Sequence, residues 1–200
     1  MAEVTERVEI GCLVAANSYR NPNLLADMAR TLDHISGGRF ILGIGSGWNQ
    51  RDYEEYGYEF GTAASRLRDL DRDMPVIVDR LARLNPPPVQ SSFPILIGGG
   101  GEKVTLRIVA QHATIWNGQG EPEVVGRKNR ILDEWCAKVG RDPQEIERSA
   151  QVSGAQLDKL DAYLAEGITH FIGSAGGPDY DLAPLRKLIA WRDRQANRSF

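Results

Sequence analysis

The chain has 200 residues, 42% of them hydrophobic and 26% charged, with a formal net charge of −3. Such a length buries a substantial core unaided, and the acidic balance argues against nucleic acid or an anionic membrane as partner. There is no apolar run of ~20 residues, no signal peptide in the opening Met1 to Arg7, and only two cysteines, Cys12 and Cys136, so a cytoplasmic domain spanning 1–200 with reduced thiols and no metal is expected.

Val8 to Val14 is rich in β-branched and apolar residues and predicts a first strand. Asn21-Pro22 reads as an N-cap followed by proline at the first helical position, and Leu24, Leu25, Met28, Leu32 and Ile35 mark an apolar helix face. Gly37-Gly38 ends that helix. Phe40 to Ile44 is nearly all apolar, as strands of a parallel sheet are. A long helix follows on Leu67, Leu70, Met74, Ile77, Val78, Leu81 and Leu84, with a kink or a restart capped by Asp73 expected at Pro75. Asn85-Pro86-Pro87-Pro88 is a stiff spacer.

Pro94 to Ile97 predicts a third strand, Glu102 to His112 a third helix, and Ala113 to Trp116 a fourth strand. A helix opened by Pro122 and closed by Gly140 carries Val124, Ile131, Leu132, Trp135 and Val139 on one side. Ile146 to Val152, Gln156 to Glu166 and Ile168 to Ile172 continue the alternation, and Leu182, Leu185, Leu188 and Ile189 mark a last helix. About six βα units predict a parallel sheet covered by helices, either open and doubly wound or closed as a barrel.

Two glycine clusters follow strands. Gly43-Ile44-Gly45-Ser46-Gly47-Trp48 is not a dinucleotide fingerprint, because Trp48 stands where the third glycine belongs. Gly98-Gly99-Gly100-Gly101-Glu102-Lys103 is not a triphosphate loop, because Glu102 intervenes before the lysine and Val104 follows it. Four glycines before a helix still leave backbone N–H groups open to an anion, and a phosphate suits them. Both clusters, and Ala15 to Tyr19, fall at C-terminal strand ends, where α/β folds carry their sites.

Several segments, in order along nearly the whole chain, resemble the bacterial luciferase-like monooxygenase superfamily. They are Tyr19-Arg20-Asn21-Pro22, Leu32 to Arg39, Leu42 to Trp48, Ile95 to Lys103, Trp116-Asn117 and Val139 to Glu147. Together they look most like the coenzyme F420-dependent oxidoreductases of actinobacteria. The resemblance implies a TIM-barrel-type (β/α) fold binding F420, or FMN in some relatives, and transferring a hydride to or from a small organic substrate. It implies a homodimer and a non-proline cis peptide at Leu13–Val14 behind the cofactor ring, with Ala15 and Ala16 beside it. It assigns Gly45, Ser46, Gly47, Trp48 and Asn49 to the ring edge and ribityl chain, and Gly98, Gly99, Gly100 and Gly101 to the phosphate.

The six strands match the third to eighth of that barrel, so the fold is expected to be incomplete, N-terminally truncated relative to the family. A start upstream of Met1, completion by a partner chain, or a non-catalytic cofactor-binding or interaction module pairing through an open barrel edge would each account for this. The short strand reads Ala113-Thr114-Ile115-Trp116-Asn117 where many relatives have Ala-Asp-Gly-Trp-Asn.

His34, His112 and His170 are expected to be structural, and none has a metal partner at helical spacing. Asp52, Glu54 and Glu55 read as a solvated loop, and Arg66, Arg68, Arg72, Arg80 and Arg83 as a solvated helix face. Tyr19 and Arg20 are placed to meet an anionic tail.

Overall fold

The computed structural model describes residues 1–196. Parallel strands alternate with helices in chain order: β1 (Ile10–Gly11), β2 (Ala15–Ala16), α1 (Pro22–Ser36), β3 (Phe40–Gly45), α2 (Gln50–Tyr56), α3 (Ala63–Arg83), β4 (Ile95–Gly98), α4 (Thr105–His112), β5 (Ile115–Gly118), α5 (Pro122–Val139), β6 (Glu147–Val152), α6 (Leu160–Ala165), β7 (His170–Gly173) and α7 (Ala183–Ala196). β1 and β2 both pair with β3, at Ile10↔Phe40 and Ala15↔Ile44, so they are two halves of one interrupted strand. The order β1-β3-β4-β5-β6-β7 gives six strand positions curled into a half-barrel, each strand beside the next in sequence. No helix among the described residues is long and apolar enough to cross a membrane.

The core lies between the convex face of the sheet and the helices. Leu42, Ile44, Ile95, Ile97, Trp116, Ala150 and Val152 pack there with Leu70, Met74, Ile77, Leu106, Val109, Leu132 and Cys136. Alternate residues of the same strands, such as Gly43, Leu96 and Asn117, face the concave side.

Helix ends follow their local chemistry. The Asn21 side chain accepts the Asn23 and Leu24 N–H groups at 3.0 and 3.3 Å ahead of Pro22, and Gly37 closes α1 in the left-handed conformation at φ 65°. Thr62 and Ser65 form a reciprocal capping box at the start of α3.

Several expectations need correction. α3 runs through Pro75 as one helix, and Asp73 is no cap: it is buried and accepts the Asn17 amide at 2.8 Å. The first strand breaks at Cys12 to Val14. Asp52, Glu54 and Glu55 lie on α2 rather than a loop, anchored by the fully buried Tyr53. α4 starts at Thr105 because Glu102 to Val104 make a turn, so the glycine run does not abut a helix end. The helix expected over Gln156 to Glu166 is divided into a 3-10 turn, Gly154–Asp158, and the short α6.

The largest error is the buried face of α1. Leu25, Ala26, Ala29, Asp33 and Ser36 are buried, while Leu24 is 54% and Ile35 53% exposed. Small alanines let α1 approach its neighbours closely, and Asp33 is buried because it is saturated. Its carboxylate accepts Val89 N–H at 2.7 Å, Gln90 N–H at 3.1 Å and Gln90 Nε2 at 2.7 Å. Through these bonds α1 holds the proline-rich spacer, and His34 Nε2 adds a bond to the Pro87 carbonyl at 2.8 Å.

Candidate functional site

Between β1 and β2 the chain bulges out of register with β3, and the Leu13–Val14 peptide is cis. Glycine on the neighbouring strands makes the bulge possible. A Cβ on Gly43 would overlap the Cys12 carbonyl oxygen, and one on Gly45 would lie 2.9 Å from Val14 Cγ2. A Cβ on Gly98 would lie 3.2 Å from Val14 Cγ1. Gly43 and Gly45 share one face of β3, two residues apart, and Gly98 extends that bare floor onto β4. The Val14 isopropyl group rests on it.

Above this floor, at the C-terminal ends of the strands, opens a cleft of about 700 Å³, within the usual range for small-molecule sites. Leu13, Val14 and Ala16 form one wall. Gly45, Ser46, Gly47, Trp48 and Asn49 form the next, with Trp48 81% exposed at the rim. Gly98, Gly99 and Gly100 form the third. Ala15 and Gly101 do not line it. Ala15 points opposite to Ala16 along the strand, and Gly101 turns to α4, its carbonyl accepting Leu106 N–H at 3.0 Å.

Both loops are pinned. Gly47 (φ 84°) leaves space for the Tyr53 hydroxyl, which donates to Ser18 Oγ at 3.0 Å. The Arg66 guanidinium, expected on a solvated face, is buried under this loop instead. It donates to the Gly47 and Phe60 carbonyls at 3.0 and 2.9 Å and stacks 3.9 Å from the Phe60 ring. Gly99 sits at φ 131°, a conformation open to glycine alone in practice. Its N–H donates to the Asn117 carbonyl at 3.1 Å, and its carbonyl accepts Trp116 Nε1 at 2.8 Å.

Six polar residues complete the lining. Tyr19 and Asp52 stand at the β2–β3 end, where Asn49 Nδ2 donates to Asp52 at 2.8 Å. Burial pushes the Tyr19 phenol up, with the Asp52 carboxylate adding to it, so Tyr19 is a neutral donor at physiological pH. Asn117, Gln119 and Gln151 line the β5–β6 side, where Asn117 donates to Ser149 Oγ at 3.0 Å and Gln119 to Gln151 at 3.2 Å. Lys128 reaches in from α5. The sequence reading missed Gln119, Gln151 and Lys128. A polar residue at the C-terminal end of an apolar strand would have flagged the glutamines; Lys128, inside a helix, has no local signal.

The histidines lie elsewhere. His112 ends α4, where burial lowers its value. His170 opens β7 at the opposite end of the strands, 3.3 Å from Glu147. Arg20 does not line the cleft. No group of three or more His, Cys, Asp or Glu side chains among the described residues could hold a metal.

This geometry meets independent sequence matches. The luciferase-like monooxygenase family matches residues 1–72. Over that stretch the chain is similar to this family. An uncharacterized Mycobacterium tuberculosis protein is 27% identical over 191 residues, covering 88% of this chain and 66% of its own length. A second protein of that organism, described by name only as a coenzyme F420-dependent oxidoreductase, is 33% identical over 181 residues, covering 74% and 51%. The chain thus spans about two-thirds of the first relatives and half of the other. The fold is that of the F420-dependent tetrahydromethanopterin reductase of Methanopyrus kandleri, at TM-score 0.75 and 17% identity over 92% of this chain and 82% of that one. An F420-dependent secondary alcohol dehydrogenase gives TM-score 0.78 at 13% identity, covering 92% and 78%.

Proposed function

We propose that the protein binds coenzyme F420, or FMN as the alternative, in this cleft and serves hydride transfer to or from a small organic substrate. The observation that carries the reading is the bare glycine floor and the Val14 bulge at the C-terminal strand ends, between two pinned backbone loops. The residues present fit such a group. The cleft is lined by glycine backbone and uncharged side chains, with one cation, Lys128, and one carboxylate, Asp52, which suits a flat polar ring carrying an anionic tail. When bound, the deazaflavin or flavin supplies the hydride-accepting or hydride-donating centre.

The chain's own part is positioning. Val14 on its glycine shelf backs one face of a ring, so the substrate meets the other. Ser46, Asn49, Asn117 and Gln119 offer neutral donors and acceptors along the ring edge and chain, and the backbone of Gly98 to Gly100 meets the phosphate. Tyr19, held protonated, can donate a hydrogen bond to substrate. Fluorescence titration with F420 and with FMN tests the reading; binding of either in the micromolar range is expected, and binding of neither at high micromolar concentration sinks it.

A second reading has its own observation. Leu24, Met28, Leu32 and Ile35 form an exposed apolar stripe on α1, beside the edge strand β1. It supports self-pairing through this side, as a dimeric oxidoreductase or as a module whose role is association.

A further inference from the structure

Apart from Asp52 and Lys128, the residues lining the cleft are uncharged. The two stand two strands apart: Asp52 on α2 after β3, Lys128 on α5 after β5. Asp52 is engaged by Asn49 at 2.8 Å. Lys128 makes no hydrogen bond or ion pair among the described residues, and two acids at neighbouring loop and helix ends are paired elsewhere. Glu102 pairs with Arg127 at 2.8 Å, and Glu121 with Lys159 at 2.7 Å. A half-buried ammonium with no counter-charge is a cost to the fold that an anion would offset.

The Lys128 ammonium also lies against the glycine loop. A Cβ on Gly100 would overlap Nζ and come within 3.1 Å of Cδ and Cε. Gly100 has no positive φ, and the lysine side chain lies directly over the place a Cβ would take. The loop's backbone and the ammonium therefore converge on the β4–β5 side of the cleft, while the carboxylate stands on the β3 side.

We infer that Lys128 is a specificity-determining residue that reads a phosphoryl group held at Gly98 to Gly100. It fixes the direction of the ligand in the cleft, phosphoryl end toward β5 and uncharged ring toward β2. The inference rests on the proposed cofactor reading and adds to it a charge that the glycine loop by itself lacks. A point charge of this kind favours the phosphorylated form of a ligand over its phosphate-free counterpart, and does so less at high salt.

The test compares the full-length protein with Lys128→Met and Lys128→Arg in binding FMN against riboflavin, and F420 against its phosphate-free deazaflavin nucleoside. The wild type is expected to prefer the phosphorylated member of a pair. Lys128→Met should weaken that member at least tenfold and leave the other unchanged, which also shows that the variant is folded; Lys128→Arg should restore most of the preference. Equal weakening of both members, or of neither, overturns the inference. If the wild type binds none of the four, the cofactor reading fails by itself. Acylation of surface amines, read by mass spectrometry, then decides on the lysine: inorganic pyrophosphate should protect Lys128 but not Lys138, and equal labelling with and without pyrophosphate overturns the inference.

Discussion

At the scale of single residues, the cleft is shaped as much by missing side chains as by those present. Gly43 has no Cβ because the Cys12 carbonyl occupies that place, and the obstacle is backbone, which cannot swing aside as a side chain can. Gly43→Ala should therefore cost roughly 3 kcal/mol or more of stability, at the upper end of overpacking penalties. Gly176→Ala, with open space around it and no positive φ, should change stability by less than about 0.5 kcal/mol. Urea unfolding of the two variants measures the contrast, and equal midpoints would contradict this account of the bulge.

Also at this scale, His170 and Glu147 tie β7 to β6 far from the cleft. The hydrogen bond between them raises His170 above its ordinary value, against burial, and holds Glu147 below its own. The imidazolium contributes stability that is present below the ordinary histidine value and lost as pH rises through the raised one. The carboxylate contributes stability that is present above its ordinary value and lost as pH falls through the lowered one. Both act together between the two ordinary values of 4.5 and 6.5. Both side chains are partly solvated, so the pair is worth at most ~1 kcal/mol. The stability gap between wild type and His170→Gln should be widest at about pH 5.5 and close by about pH 9; a gap independent of pH would refute the linkage.

At the scale of elements, α1 depends on a buried acid that reaches beyond its own helix. Asp33 satisfies three donors of the segment after Pro88, so Asp33→Ala should leave them unpaired and cost roughly 3 kcal/mol or more. Hydrogen exchange should show the loss first at the Val89 and Gln90 amides; an unchanged pattern there would disprove the tether. This bond also explains where sequence reading succeeded and failed. Capping at Asn21 and Gly37 was legible, because caps are local chemistry written in adjacent residues. The βα alternation and the two glycine loops were legible for the same reason. The buried face of α1 was not, because hydrophobic periodicity ranks Leu24 and Ile35 above Ala29 and Asp33. What decides the face is the tertiary partner, here Gln90 and the neighbouring helix. Arg66 was misread likewise, since a long cation on a helix looks solvated until two loop carbonyls and an aromatic ring are brought to it. Lys128 was invisible because its meaning comes only from α5 folding back over Gly100.

At the scale of the whole molecule, the half-barrel has two sheet edges, β1 and β7, and beside β1 an unburied apolar stripe. Leu24, Met28, Leu32 and Ile35 recur along one line of α1, whose opposite face is already buried in the core. Surfaces of this kind on soluble proteins are usually covered, since unpaired edges and contiguous apolar patches favour association. A second copy offers the same stripe, and packing two α1 helices against each other about a two-fold axis covers both at once. Light scattering on the purified chain should then give a mass near twice 22.1 kDa. Replacing Met28 and Ile35 together by glutamate should return the mass to a single chain. The double variant should keep the wild-type urea slope, because neither side chain belongs to the buried core. A wild-type chain that stays monomeric at about 100 μM, well above the micromolar range of weak specific complexes, would rule out this pairing and leave the stripe to a different occupant.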